Sequence, residues 1–142
     1  MIRLANENDQ AAIAALTVER GYPQSALSAS DRLQRLIDAS EHCLLVAEDS
    51  RGEVVGWIHV FIALRVESPL FAEIGGFIVA AERRGEGIGR MLLASAEHWL
   101  AENSIKQLRV RTQIQRADAQ AFYRRLGFHR AKEQMVFDKL LG

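Results

Sequence analysis

The segment Arg84-Gly85-Glu86-Gly87-Ile88-Gly89-Arg90 joins an apolar run of strand length to a helical pattern. Three alternating glycines remove Cβ atoms from the turn and let successive backbone N–H groups point toward one place. The helix behind it adds its unpaired N–H groups and the positive end of its dipole. A place of that kind binds phosphate. Two familiar phosphate loops do not fit. Walker A, G-x-x-x-x-G-K-[ST], requires a Lys and a Ser or Thr that are absent here. The dinucleotide pattern G-x-G-x-x-G meets Arg90 after Gly85-x-Gly87, and Leu92 after Gly87-x-Gly89, where its third glycine would stand. The loop alone leaves open a tight connection without a ligand.

Two other residues could move protons. Glu73 lies eleven residues before Arg84, in the apolar run Phe71–Val79. Period-two alternation puts Glu73, Gly75, Phe77 and Val79 on one strand face. A carboxylate there can take a proton from an attacking amine, hold an ammonium group, or sit in a cross-strand ion pair. Tyr123 stands in Phe122-Tyr123-Arg124-Arg125-Leu126-Gly127-Phe128. A phenol is protonated at neutral pH and can donate to a leaving thiolate; otherwise it packs on a helix surface.

The elements that must position these residues are readable by eye. Ile2–Ala5 suits a short strand, and Asn6–Asp9 offers N-cap residues to the helix formers after it. Gly21-Tyr22-Pro23 stops that helix. Ser30 can cap a second helix with Leu33, Leu36 and Ile37 on one face. Cys43–Glu48 is an apolar strand, Asp49–Glu53 a turn, and Val54–Ala63 and Phe71–Val79 two more strands. Gly75-Gly76 inside the last suggests a bulge or a close backbone approach. A long helix follows the glycine loop, then a strand at Lys106–Thr112, a short helix at Ala117–Leu126 and a final strand at Glu133–Leu140. The order is β-α-α-β-β-β-α-β-α-β, an α/β fold with a mixed sheet and an antiparallel meander at its centre.

At 142 residues, 49% hydrophobic and 25% charged, the chain suits one domain, 1–142, with a core large enough to need no staple. A single cysteine, Cys43, excludes an intrachain disulfide and a cysteine-based zinc site. His42, His59, His98 and His129 are scattered without ligand spacing, so no metal is expected. The formal net charge is zero, which gives no overall pull toward nucleic acid or an anionic membrane. No apolar run reaches bilayer length and no signal segment is visible, so a cytoplasmic protein is expected. The charge is divided unevenly. Residues 1–70 hold 6 basic and 10 acidic side chains, and residues 71–130 hold 10 basic, nine of them Arg, and 6 acidic. Arginine suits bidentate phosphate contacts, so the second half fits a polyanion and the first half a cation.

Arg84-x-x-Gly87-x-Gly89 resembles the Q/R-x-x-G-x-G/A motif of the GNAT superfamily of N-acetyltransferases. The segment Phe122–Phe128 resembles the F-Y-x-x-x-G-F signature of the same family, in order and at family spacing. The resemblance covers the whole element order and is closest over 71–137. It implies a GNAT fold, acetyl-CoA as acyl donor, and direct attack by a primary amine in a ternary complex. The backbone of Arg84, Gly85, Gly87, Ile88, Gly89 and Arg90 would hold the pyrophosphate. Phe77, Ile78 and Val79 would pair with the pantetheine arm, the Val79 N–H polarising the thioester carbonyl. Arg116 would reach a CoA phosphate or cap the helix beside it. Tyr123 would be the acid beside the sulfur and Glu73 the base, since FAEI (Phe71–Ile74) resembles the histone-acetylating branch. Arg83 and Glu86 depart from the family pattern, where an aromatic and a basic residue are common. Glu19, Tyr22 and Glu67 would meet the acceptor's cation. The C-terminal stretch resembles aminoglycoside and other small-amine acetyltransferases. A small-molecule amine is the expected partner and a homodimer the expected assembly. A protein acetyltransferase and an acyl-CoA-binding module without turnover are the alternatives.

Overall fold

The computed structural model describes residues 1–21 and 26–142. The chain falls into two compact units, Met1–Val110 and Arg111–Gly142.

The first unit carries the sheet. β1 (Ile2–Leu4) leads through a short 3-10 turn at Glu7–Asp9 into α1 (Gln10–Glu19). That entry is closed locally. The Asn6 side chain accepts from the Asn8 N–H at 2.8 Å, and the Asp9 carboxylate accepts from the Asn6 N–H at 2.8 Å. Arg3 then forks onto both Asp9 oxygens, 2.8 Å each, which pins β1 to α1. α2 spans Ala26–Asp38, and β2 (His42–Glu48), β3 (Val54–Ala63) and β4 (Phe71–Val79) form the meander. A 3-10 turn at Ala81–Arg83 and the glycine loop lead into α3 (Ile88–Glu102), and β5 (Leu108–Arg109) closes the unit. The strand order is β1-β2-β3-β4-β5, antiparallel except for the parallel pair β4–β5.

The helices take opposite faces of this sheet. Leu44 and Val46 of β2 share a face with His59 and Trp57 of β3. On that face Ala5, Leu33, Leu44 and Val46 form a buried cluster, with Ile13, Ile37 and Trp57 packed on it. Ile13 brings α1 to the face, and Leu33 and Ile37 bring α2. The other face holds Gly56, Ile58 and Val60. A Cβ on Gly56 would lie 3.2 Å from Leu92 and 3.3 Å from Ile88, so α3 packs directly there.

The register of β3 on β4 slips once. His59 pairs Gly76 while Val60 pairs Ile74, leaving Gly75 as an extra residue. This corrects the simple alternation. Glu73 shares its face with Gly76 and Ile78, whereas Phe77 and Val79 lie on the face of Ala72 and Ile74. Counting by two cannot see an inserted residue, which flips every side chain beyond it. The paired glycines have a packing cause. A Cβ on Gly75 would stand 2.3 Å from His59 Nδ1, and one on Gly76 2.4 Å from Trp57 Cη2. Two β3 rings therefore occupy the space that side chains on Gly75 and Gly76 would need.

The second unit contains α4 (Ala117–Arg125). Its end is a Schellman turn. Gly127 takes φ +97°, its N–H donates to Arg124 O at 3.1 Å, and the Phe128 N–H donates to Tyr123 O at 3.0 Å. Residues 128–142 form neither helix nor strand, so the strand expected at Glu133–Leu140 is not formed. The strand expected at Lys106–Thr112 is laddered over Leu108–Arg109 alone. Both shortfalls share one reason. Extended backbone becomes a strand only against a hydrogen-bonded neighbour, and among the described residues β5 has a ladder on its β4 side alone.

Candidate functional site

The glycine loop takes left-handed backbone at two of its three glycines. Gly85 and Gly87 take φ of +84° and +83°, where a side chain is strained, and nothing lies within 4 Å of where a Cβ would stand on either. Gly87 is the N-cap of α3 and makes no side-chain cap bond. The N-cap position of α3 therefore supplies no side chain to its first amides. These features fit a pyrophosphate.

Two residues that depart from the family pattern answer each other. The Arg83 guanidinium contacts Glu86 at 3.0 and 3.1 Å and Asp49 at 3.0 Å. Glu86 and Asp49 hold the Arg83 pKa above its usual value. The Glu86 carboxylate is thereby matched by a cation of its own loop, which removes much of its repulsion toward phosphate.

The loop is also tied to α1. Glu19 accepts from the Ala81 N–H at 2.8 Å, directly after β4. Of the acceptor-side residues, Glu19 thus braces the entry to the glycine loop, Glu67 lies exposed between β3 and β4, and Tyr22 lies outside the described residues. The β4–β5 ladder covers Ala72 and Glu73, and farther along β4 Phe77, Ile78 and Val79 pair Ile58, Trp57 and Gly56 on the β3 side. Ile78 is buried, and Phe77 and Val79 are half-buried.

Glu73 is 8% exposed. The Arg65 guanidinium stands 3.4 Å from its carboxylate, and Arg109 is its parallel partner on β5. Arg65 and Arg109 also lie over the Phe71 ring, 5.2 and 4.7 Å from its centroid. Arg65 thus pairs the Glu73 carboxylate in the apolar surroundings of β4. In the second unit, Tyr123 meets the Phe128 ring edge-on at 5.6 Å and Phe122 at 5.2 Å. The motif residues thus brace the phenol from both sides. Arg116 is the N-cap residue of α4 and makes no side-chain cap bond.

A histidine pair escaped the reading of the sequence. His42 Nδ1 lies 2.8 Å from His59 Nε2, and both rings lie against Phe61, the cross-strand partner of Glu73. Burial, and then the neighbouring His42, push the His59 pKa down to about 4, so its ring is neutral near pH 7. The signal in the sequence was a histidine directly before one apolar strand and another within the next. His59 and Trp57 also line a cavity of about 140 Å³ against Ile13, Thr17 and Leu36. Among the described residues, the Trp57 indole nitrogen is buried without a hydrogen-bond partner. Cys43 is 2% exposed, and burial pushes its thiol up to about 11, so it is not a nucleophile at neutral pH. No described helix is long and apolar enough to cross a membrane.

Comparison with known proteins identifies the family and the fold. Residues 5–128 match the model of the acetyltransferase (GNAT) family. An aminoglycoside N(6')-acetyltransferase type 1 of Stenotrophomonas maltophilia is 28% identical over 140 residues, covering 96% of this chain and 90% of that protein. The crystal structure of an aminoglycoside 6'-N-acetyltransferase from Acinetobacter baumannii superimposes with a TM-score of 0.90 at 18% identity, over 100% of this chain and 99% of that one. A further aminoglycoside acetyltransferase, solved with a bisubstrate analogue of CoA and an acetylneamine, superimposes with a TM-score of 0.88 at 16% identity, over 99% and 98% of the two chains.

Proposed function

Because the chain belongs to the GNAT acetyltransferase family, we propose that it acts as one domain, 1–142, in the cytoplasm, and moves acetyl from acetyl-CoA to a primary amine of a small polycationic molecule such as an aminoglycoside. The observation that carries this reading is the glycine loop. Two left-handed glycines and an uncapped α3 N-terminus form a pyrophosphate cradle. Backbone N–H groups of Arg84, Gly85, Gly87, Ile88, Gly89 and Arg90 hold the donor's phosphates, with Arg116 adding charge. The stretch of β4 at Phe77, Ile78 and Val79 pairs with its amide arm, and the Val79 N–H polarises the carbonyl. Glu73 takes the proton of the acceptor ammonium. The amine nitrogen then attacks the thioester carbon, an N–C bond forms, the C–S bond breaks, Tyr123 donates its proton to the departing thiolate, and the second proton shed by the nitrogen as the neutral amide forms returns, through solvent, to the Tyr123 phenolate. Glu67, Tyr22 and the remaining oxygen of Glu19 receive the acceptor's other cations. The assembly is a homodimer. The relatives named for aminoglycoside acetylation and the acidic first half of the chain support this acceptor class.

Tyr123→Phe tests the assignment. Loss of a positioned general acid lowers kcat by about 10²-fold or more, while the Kd for CoA by calorimetry stays within about twofold of wild type. An unchanged rate would remove Tyr123 from the chemistry.

A further inference from the structure

Beside Glu73 stand two guanidiniums that the acetyl transfer above leaves without a task. Arg65 lies in the connection from β3 to β4, and its Nη2 reaches the Glu73 carboxylate at 3.4 Å. Its side chain is 43% exposed, and its other N–H groups make no hydrogen bond among the described residues. Arg109 is the parallel partner of Glu73 on β5 and is half-buried. It makes no hydrogen bond or ion pair among the described residues, and its guanidinium lies 4.7 Å from the centroid of the Phe71 ring. Arg65 lies 5.2 Å from the same centroid, and that ring is buried. Stacking on a fixed aromatic holds a guanidinium by its face and leaves its edge, where the N–H groups are, for an anion. Partial burial of a charge without an acceptor costs free energy. Glu73 matches one of the two cations. Glu67, exposed in the same connection as Arg65, pairs with neither.

We propose that Arg65 and Arg109 form an anion subsite beside Glu73, and that the protein also acetylates small amines carrying a carboxylate or phosphonate. The ammonium group of such a zwitterion meets Glu73 and its anionic end meets the guanidinium edges, so both charges are matched at one place. A simple amine fills the Glu73 half alone. The proposal adds an acceptor class to the reading above and rests on its use of Glu73. In that reading the further cations of a polyamine are met at Glu67 and Glu19, so the two classes share Glu73 and differ in what flanks it. The bond changes are the same. The ammonium proton goes to Glu73, the N–C bond forms, the C–S bond breaks, CoA leaves as the thiol, and the anionic end keeps its charge throughout. The product has lost the ammonium that Glu73 held, which favours its release.

The test is thiol release from acetyl-CoA with matched acceptors: butylamine, 4-aminobutyrate and 3-aminopropylphosphonate, with kanamycin as the polycation. The expected kcat/KM is higher by about tenfold or more for an anionic acceptor than for butylamine, and the arm that responds tells carboxylate from phosphonate. Arg109→Gln is expected to remove that preference by raising the KM of the anionic acceptor about tenfold. A fold defect would lower all acceptors alike and leave the ratio in place. If Arg109→Gln fails to fold, the wild-type ratio and competitive inhibition by propylphosphonate still decide. No preference in the wild type, with kanamycin turned over, overturns the subsite and leaves the reading above standing. A preference that Arg109→Gln does not move overturns its assignment to these arginines. No thiol release with any acceptor overturns the reading above. Calorimetry of 3-aminopropylphosphonate then decides the subsite alone: binding lost in Arg109→Gln upholds it, and no binding overturns it.

Discussion

Replacing Gly75 by alanine tests the packing that shapes the β4 bulge. The new Cβ would stand 2.3 Å from His59 Nδ1 and 2.7 Å from Cε1, against an ordinary contact of at least 3.4 Å. The ring must therefore move by 3.4 − 2.3 = 1.1 Å. It is not a flexible tip. It is held by His42 at 2.8 Å and lies against Phe61. Overpacking of this kind costs about 1–3 kcal/mol, and loss of the His–His hydrogen bond adds about 1 kcal/mol. The expected loss is about 2–4 kcal/mol, or roughly 6–12 °C in Tm for a chain of this size. The clash is with His59 alone, so His59→Ala should remove it. In that background Gly75→Ala should be neutral within about 0.5 kcal/mol, because alanine restricts the unfolded chain more than glycine does. Urea unfolding of the four proteins in the cycle measures the coupling, expected at about 1.5–3 kcal/mol. Additivity within about 0.5 kcal/mol would refute the claim that the bulge glycine exists to seat this ring.

Other expectations follow from the charged and catalytic groups. The His59 pKa, about 4 in the fold, lies below its unfolded value of about 6.5, so its contribution to stability is complete above pH 6.5 and is lost as pH falls toward 4. Allowing for its partial exposure, the loss is about 2 kcal/mol, and His59→Gln should flatten that part of a stability–pH curve measured in urea. Asp9 is held below the usual carboxylate range, first by its hydrogen bonds from Arg3, so its contribution is present above pH about 4 and lost at lower pH. Asp9→Asn should cost about 2–4 kcal/mol at pH 7 by leaving Arg3 poorly matched, and a loss under 1 kcal/mol would contradict this. Glu73→Gln should lower kcat by about 10²–10⁴-fold; a change confined to the acceptor KM would instead make Glu73 a binding group.

Much of the fold was legible because its periodicity is strong. The meander strands begin and end where apolar runs meet turn residues, as at Asp49–Glu53, and the glycine loop announced itself by three alternating glycines. What was hidden depended on contacts between distant residues. The Gly75 insertion was signalled by a glycine pair, but its effect on which face Glu73 shares requires the register against His59 and Val60. Glu19 reads as an acidic residue near a helix end, and nothing local tells that it accepts from Ala81, 62 positions away. The Arg83–Glu86 pair reads as two departures when each residue is taken alone, and as one compensated change in space. The strand pattern at Glu133–Leu140 is present in the residues, but a strand requires a neighbour that local sequence does not supply.

The most direct test of the central claim is release of free CoA thiol from acetyl-CoA in the presence of an acceptor panel of aminoglycosides, polyamines, amino acids and short peptides. The account predicts amine-dependent release with aminoglycosides or another small polycationic amine, and its loss in the Glu73→Gln and Tyr123→Phe variants. No release with any small amine, from folded protein that binds CoA, would contradict it.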